Sequence, residues 1–220
     1  MVIEVWSDMV CPFCYIGKRR LEKALKRLGP DAGAAEVIYR SFQLDPSQKS
    51  YAGRDIHAVL AEKYGYSYEQ ARRMNLSLAR QAGEDGLIYN MDSAIPAGTR
   101  DAHRLCHWAK EQGRQPEMEE RVMKAYFTDS LDIADHTTLA RLAGEIGLDE
   151  KRALEVLKSS RYLEAVLEDQ AQAERLGIRG VPHFIIGGRV QISGAQPVSV
   201  FTDALKKAGA AVPPTFRGTK

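Results

Sequence analysis

The stretch that most constrains this chain places two cysteines three positions apart, where an apolar strand pattern changes to a helical one. It reads WSDMVCPFCYIG over residues 6–17. The residues before it, 2–6, form a short apolar run that suits a buried strand. After it, apolar residues at 21, 24, 25 and 28 follow helical spacing, and this face extends back one turn to Cys14. We therefore predict a strand, then a helix, with Cys14 pointing inward.

Cys11 is predicted to lie at the N-terminus of this helix, with Pro12 at the first helical position, where a missing N–H costs nothing. Free backbone N–H groups and the helix dipole stabilise an anion there, so the Cys11 thiolate is favoured. Cys11 is the candidate nucleophile. Cys14, one turn further on, is placed to attack a mixed disulfide formed at Cys11 and release the product.

Composition excludes several other classes of protein. The 220 residues carry 31 basic and 29 acidic side chains, without a basic run, so we expect no nucleic-acid partner. The N-terminus lacks a signal-peptide pattern and no apolar stretch is long enough to cross a membrane, which predicts a cytoplasmic protein. Three cysteines are too few for a disulfide framework. A cytoplasmic C-x-x-C next to a strand and a helix is typical of a redox motif.

Further along, the pattern predicts an α/β fold interrupted by helices. Residues 37–39 with Phe42 and Leu44 predict a second strand that runs to Asp45-Pro46, parallel to the first. From about 48 to 160 helix formers dominate. Helices are predicted over the following residues: 56–64, 67–83, 99–113, 115–128, 137–146, 150–158 and 162–176. We expect a discontinuous domain of residues 1–47 and 161–220, with 48–160 as a helical insertion.

The last part of the chain predicts a β-hairpin and a helix. Residues 181–186 enter an apolar strand, Gly187-Gly188 is a hairpin turn signal, and 189–192 alternate as the partner strand. Residues 197–207 have helical spacing, and the tail from Gly209, with two prolines at 213 and 214, is expected to be loose.

Together these segments resemble the thioredoxin fold in its DsbA-type form, with the FrnE-like branch as the nearest likeness. The resemblance is carried by segments spread along nearly the whole chain: residues 6–17, 42–46, 102–105, 125–127, 132–133 and 180–184. It implies a thiol–disulfide oxidoreductase or isomerase that acts on protein disulfides or on small disulfide and thiol substrates. Relatives commonly carry His where this chain has Phe13, so we expect a less oxidising dithiol.

The resemblance also implies roles for residues outside the C-x-x-C motif. Val181-Pro182 should be a cis peptide facing the cysteines, with Pro182 part of the catalytic site and the Val181 backbone free to pair with substrate. Pro12 and Phe13 would contact substrate as well. Glu4, an acid within an apolar strand, resembles the buried acid that relays a proton to the inner cysteine, although an edge position facing solvent is equally open.

Two further candidates lie in the insertion. His103 and Arg104 could line the cleft and bind an anionic or carbonyl-bearing group, or they could be a helix-surface pair or an interface histidine. Cys106 is interpreted as a buried small side chain. The charged segment 117–121 is interpreted as a solvated helix face.

Two alternative functions stay open at this point. One is a glutathione-dependent isomerase or transferase acting on an aromatic or polyketide-like molecule, although such relatives tend to carry serine as the nucleophile. The other is a zinc-binding or chaperone-like module, in which Cys11, Cys14 and Cys106 with a histidine would bind the metal. The leading interpretation needs no metal or organic cofactor, and glutathione or thioredoxin would supply electrons. The oligomeric state cannot be predicted from these patterns.

Overall fold

Four strands form one mixed sheet in the computed structural model, which describes residues 1–32, 34–47 and 53–210. The strands are β1 (Val2–Ser7), β2 (Glu36–Ser41), β3 (His183–Ile186) and β4 (Val190–Ser193), in the order β2-β1-β3-β4. β1 and β2 are parallel, as predicted, while β3 pairs antiparallel with β1 and with β4. The predicted hairpin is confirmed, and Gly187 and Gly188 adopt positive φ at its turn.

The α-helices of the described ranges follow the predicted segments closely. They are α1 (Pro12–Leu28), α2 (Ile56–Tyr64), α3 (Tyr68–Glu84), α4 (Arg100–Glu111), α5 (Gln115–Phe127), α6 (His136–Glu145), α7 (Glu150–Lys158), α8 (Leu163–Arg175) and α9 (Val198–Ala210). Side-chain caps fix several starts: Asp55, Ser67, Asp135 and Asp149 accept hydrogen bonds from the first-turn N–H groups of α2, α3, α6 and α7. The sharp boundaries explain why sequence patterns located these helices well.

The sheet is covered on both faces because β1 alternates its side chains between them. Ile3 and Val5 pack with residues of α1 and α9 on one face. Trp6 packs on the other face with Ala173 of α8 and with Ile178, which follows α8. The ring N–H of Trp6 donates to the Asp169 carbonyl at 3.1 Å. Helix α1 therefore covers the face of the sheet opposite to the one that holds Trp6.

β2 is shorter than predicted, since it ends at Ser41 and does not reach Asp45-Pro46. The N–H of Phe42 still bonds to the Ser7 carbonyl at 3.1 Å, but the N–H of Leu44 donates to the Asp8 carboxylate at 2.8 Å. A side chain thus replaces the strand partner, and the backbone turns away from the sheet.

Helices α2–α7 separate β2 from α8 in the chain, as expected for a helical insertion. Their core continues without a break into the start of α1, where Cys11, Cys14 and Ile16 belong to the same cluster as Leu105 and Met123. The predicted domain boundary at 47/48 lies at the limit of the described residues. The loose tail was predicted from Gly209, but α9 continues to Ala210, and the rest of the tail lies outside the described residues. Within those limits, no helix is both long and apolar enough to cross a bilayer.

Candidate active site

Cys11 is the N-cap of α1 and Pro12 opens the helix, as the sequence predicts. The Cys11 residue is extended, with φ −84° and ψ 112°, and it makes no side-chain cap. Its sulfur therefore does not bond to the first-turn N–H groups, and it lies 3.6 Å from the Val181 carbonyl oxygen. The Cys11 thiol thus points toward the Val181 carbonyl, to which it can donate a hydrogen bond.

Cys14 lies one turn further along, buried on the inner side of α1. Burial raises the pKa of its thiol well above the usual value, and the neighbouring Cys11 sulfur raises it further. The backbone N–H of Asp8 and the hydroxyl of Ser7 act in the opposite direction without offsetting burial. Both cysteines are free thiols in this structure, and Cys14 is the one that holds its proton more firmly than an ordinary thiol.

The Val181-Pro182 bond is cis, as the resemblance implied, and it faces the cysteines across a short gap. Gly17 makes this approach possible. A Cβ at position 17 would lie 3.0 Å from Pro182 Cγ and 3.1 Å from Phe184 Cζ, closer than side-chain carbons normally pack. The glycine one turn after Cys14 therefore lets α1 lie directly against Pro182.

An open groove of about 380 Å³ runs past Cys11. Pro12, Phe13 and Val181 line its dithiol end, so these three predicted substrate contacts lie together around Cys11. Phe13 is 41 % exposed, which leaves its ring available to a bound molecule. Helices α2 and α3 form the opposite wall with the following side chains: Ile56, Val59, Leu60, Ala71, Met74 and Leu78. The groove is thus an apolar channel leading to one nucleophilic sulfur.

A family model of the DSBA-like thioredoxin domain matches residues 2–206. The chain belongs to the DsbA-like thioredoxin family. The match spans both the sheet and the helical insertion, so it covers the dithiol, the cis-proline loop and the groove. It does not reach the level of the FrnE-like branch, which stays a prediction.

Individual relatives and solved structures are similar to the chain over most of its length. The chain is 33% identical over 205 residues to the uncharacterized protein YwbO of Bacillus subtilis (strain 168), covering 92% of this chain and 94% of YwbO. It is 38% identical to the probable DsbA oxidoreductase SCO1869 of Streptomyces coelicolor, with a TM-score of 0.90 over 97% of this chain and 92% of that structure. A 2-hydroxychromene-2-carboxylate isomerase shares the fold, with a TM-score of 0.68 at 17% identity over 94% and 95% of the two chains.

The insertion of this DsbA-like domain does not place Arg104 in the groove, which corrects one expectation. Arg104 is 5% exposed, and its guanidinium donates to carbonyl groups at and just beyond the end of α7, those of Val156 (2.7 Å) and Ser159 among them. It also pairs with Asp101 at 2.6 Å. With its donors used in this way, Arg104 supports the C-terminus of a helix, whose last carbonyls otherwise lack partners.

His103 is not a groove residue either, although it lies close to the dithiol. Its side chain is 2% exposed, and Nε2 lies 3.4 Å from Asp8 Oδ1. Burial lowers the pKa of His103, but Asp8 and the nearby carboxylates outweigh burial and the net shift is upward. The prediction of a substrate-binding histidine is therefore replaced by a buried His–Asp pair.

Glu4 is turned away from the cysteines, which corrects the expected proton relay. Its carboxylate accepts from the Arg40 guanidinium at 2.7 and 3.0 Å, and Arg40 also reaches Asp169 of α8. Alternation along β1 places Glu4 on the α8 side of the sheet with Trp6, whereas the dithiol lies on the α1 side. Glu4 is a structural ion-pair partner at this position.

Two acidic side chains lie near the dithiol, and the sequence patterns predicted no role for either of them. Asp8 is 1% exposed and precedes Cys11 by three residues. Glu119, in the segment interpreted as a solvated face, is 3% exposed, and burial raises its pKa to about 7. Helical spacing held the signal: Gln115, Met118, Glu119, Val122, Met123 and Tyr126 share one buried face of α5. Because Glu119 shares this face with apolar residues, helical spacing indicates that its side chain is buried.

Cys106 is buried, as predicted, and its thiol contacts Glu119. Burial raises the pKa of Cys106 well above its usual value, and the Glu119 carboxylate adds to the shift. In the described part of the chain, no group of three or more His, Cys, Asp or Glu side chains is arranged to hold a metal ion.

Proposed function

We propose that this protein is a thiol–disulfide oxidoreductase or isomerase whose redox centre is the Cys11/Cys14 pair. One observation carries the proposal: Cys11 caps α1 at the end of an apolar groove, with its sulfur 3.6 Å from the cis-proline loop and a buried Cys14 one turn behind it. Membership of the DsbA-like family supports it.

In the proposed cycle, the Cys11 thiolate attacks one sulfur of a substrate disulfide, and the other sulfur leaves as a thiolate. Cys14 then loses its proton and attacks Cys11, forming the Cys11–Cys14 disulfide and releasing the second substrate sulfur. The substrate gains two electrons and the dithiol loses two. Phe13 and the Val181 backbone border the attacked bond and would hold an extended or apolar substrate beside it.

The two cysteines should separate the two halves of this cycle. Cys11→Ser is expected to abolish reduction of insulin by thiols, because no other thiol of the protein opens onto the groove among the described residues. Cys14→Ser should instead accumulate a mixed disulfide at Cys11, visible as a mass increase that a reductant removes. Cys106→Ser is the matched control, and it should leave both readouts unchanged. Full insulin-reducing activity in Cys11→Ser would refute the mechanism.

The direction of electron flow is a question of reduction potential. Titration of the dithiol in glutathione buffers, read by thiol alkylation in a Cys106→Ser background, measures it. A reduction potential of about −270 mV indicates a reductant, and one between about −180 and −120 mV indicates an isomerase or oxidant. With Phe13 in place of the family's usual histidine, and with the cytoplasmic location that the sequence predicts, we expect the reducing end, with glutathione or a thioredoxin system as electron donor and no bound cofactor.

The same titration discriminates the alternatives. A glutathione-dependent isomerase or transferase would bind glutathione without forming a Cys11–Cys14 disulfide, and the buried Cys14 would take no part in its reaction. Its fold neighbour among isomerases is 17% identical, which shows the fold alone. A zinc-binding module would carry stoichiometric zinc in the purified protein, and a chaperone-like module would keep its holdase activity after loss of both active-site thiols.

A further inference from the structure

A cluster of buried polar side chains lies behind the dithiol. Ser7 Oγ, Asp8 Oδ1, His103 Nε2 and Glu119 Oε2 are buried and make no well-formed hydrogen bond to any described residue. Each buried polar atom without a hydrogen bond destabilises the folded protein by about 1–3 kcal/mol. These are also the only such side-chain atoms in the described ranges, so the cost is concentrated at one place in the molecule.

The four side chains follow one another from Cys14 into the helical insertion. The Ser7 hydroxyl and the Asp8 backbone both lie against the Cys14 sulfur. Asp8 Oδ1 is 3.4 Å from His103 Nε2, a distance at which a direct hydrogen bond is weak. His103 on α4 and Glu119 on α5 then act on each other electrostatically, and Glu119 contacts the Cys106 thiol. The path thus leads from Cys14 past Asp8, which also lines the groove, to the Glu119 carboxylate, which does not.

The titratable groups around Glu119 determine whether its carboxylate is ionised. Lys18 of α1 binds Glu22 and Glu120, both at 2.5 Å. Tyr39 of β2 faces Glu119, but its own pKa is raised well above the usual value by burial, so it stays neutral. Asp8, His103 and Cys106 also act on the carboxylate from neighbouring elements. His103 and Lys18 lower the pKa of Glu119, but burial outweighs both, and the carboxylate forms no salt bridge within the described residues.

We propose that Ser7, Asp8, His103 and Glu119 form an internal proton path that serves Cys14, a role that rests on the proposed dithiol cycle. Polar atoms that lack protein partners and lie close together are the usual site of an internal water, which bridges gaps such as the one between Asp8 and His103. When Cys14 attacks the mixed disulfide, its proton moves through Ser7, Asp8 and His103 toward Glu119. When the Cys11–Cys14 disulfide is reduced again, the proton returns to Cys14.

The chemistry of the acceptor suits this task. A group that must take up and return a proton works best when it ionises near the working pH. Burial brings Glu119 to a pKa of about 7, whereas the Cys14 thiol, with its raised pKa, does not ionise readily by itself. Glu119 acts through the Asp8–His103 pair and does not touch the reacting sulfurs, so it is a positioning residue rather than a catalytic one.

The test is a stopped-flow reaction of the reduced full-length protein with 5,5′-dithiobis(2-nitrobenzoate). The first release of thionitrobenzoate reports attack by Cys11, and the second reports resolution by Cys14. In the wild type, the rate of the second phase should rise with pH and level off near pH 7. In Glu119→Gln, the first phase should be unchanged, while the second slows at least about tenfold at pH 7 and loses that inflection.

Glu120→Gln is the matched control, because it changes the adjacent side chain, which points to Lys18 and Arg19 and lies outside the path. It should keep the wild-type second phase. Cys14→Ser cannot give the second phase, so any further thionitrobenzoate that this variant releases comes from Cys106. His103→Gln interrupts the path at another point and should slow the second phase as Glu119→Gln does.

The outcomes separate the two proposals. An unchanged second phase and pH profile in Glu119→Gln overturn the proton path while leaving the dithiol cycle standing. If Glu119→Gln does not fold, His103→Gln and the wild-type profile decide, and a wild-type second phase that climbs steadily from pH 5 to 9 overturns the path. Absence of the first phase in the wild type refutes the dithiol cycle itself, and the path with it.

Discussion

Glu119 and Glu120 are adjacent in sequence and opposite in environment. Glu119 is 3% exposed and forms no salt bridge with another described residue, whereas Glu120 is 31% exposed and binds Lys18, Arg19 and the Tyr15 hydroxyl. Burial accordingly raises the pKa of Glu119 to about 7. For Glu120, burial is outweighed by Lys18 and Arg19, and its pKa is lowered. The two side chains should therefore contribute to stability with opposite signs.

At the residue scale, we predict that Glu119→Gln stabilises the protein at pH 8. The folded state of the wild type binds a proton at Glu119 up to about pH 7, while the unfolded chain releases it near 4.5, so wild-type stability falls as pH rises through this window. The full penalty is at most about 3 kcal/mol. Urea unfolding at pH 5 and pH 8 should show the advantage of the variant growing with pH.

Glu120→Gln provides the comparison, because its carboxylate has a lowered pKa and stabilises the folded state above the unfolded value. That variant should lose stability at pH 8 and approach the wild type only in acid. A Glu119→Gln protein that is less stable than the wild type at pH 8 would mean that the carboxylate is satisfied in the folded protein, contrary to the environment described above.

At the scale of elements, α1 is the piece that the active site is built around. Its N-cap carries Cys11, its first turn carries Cys14, and Gly17 one turn later allows the cis-proline loop to pack against the helix. Tyr89 from the insertion donates to the Pro12 carbonyl at 2.7 Å, which holds the helix start from the other side. The position of the nucleophile thus depends on contacts made along the first half of the helix.

Gly17→Ala is predicted to disturb this packing. The added methyl would lie 3.0 Å from Pro182, so either α1 or the loop must shift, at a cost of about 1–3 kcal/mol. The rate of Cys11 attack should fall as well, since the loop borders the sulfur. Gly83→Ala in α3 is the matched control: position 83 is exposed with nothing within 4 Å, so alanine should stabilise by about 0.5–1 kcal/mol. Thermal unfolding of both variants measures the difference, and equal stabilities would rule out tight packing at Gly17.

Local patterns predicted the elements well because their signals are local. Helical spacing located α1–α8, and the C-x-x-C motif with Pro12 located the candidate nucleophile. The polar surroundings of Cys14 were not predicted, because Asp8, His103 and Glu119 come together only when α4 and α5 pack behind α1. Glu4 was misassigned for a related reason: the face that a strand residue occupies depends on register, and a shift of one residue reverses it.

At the scale of the whole molecule, the helical insertion and the sheet are packed through shared contacts. One core runs from Cys14 and Ile16 into the helices. Ion pairs cross the same boundary, with Arg20 of α1 bound to Asp85 after α3 at 2.7 Å and Lys18 bound to Glu120 of α5. Separating the two parts would expose this core and leave Asp85, which is 7% exposed, without its partners. The division at residues 47/48 and 160/161 therefore describes chain order better than independent stability.

We predict that both parts unfold together, and the two tryptophans of the chain can test this. Trp6 lies in the sheet core and Trp108 in α4, and both are buried. In Trp108→Phe, the fluorescence of Trp6 reports the sheet, whereas far-UV circular dichroism is dominated by the helices. The two urea curves should coincide, because loss of the shared core destabilises both parts at once. In Trp6→Phe, the fluorescence of Trp108 should also follow the dichroism. Separate midpoints in Trp108→Phe would establish the insertion as a domain that folds independently, and the dithiol would then lie at an interface able to open.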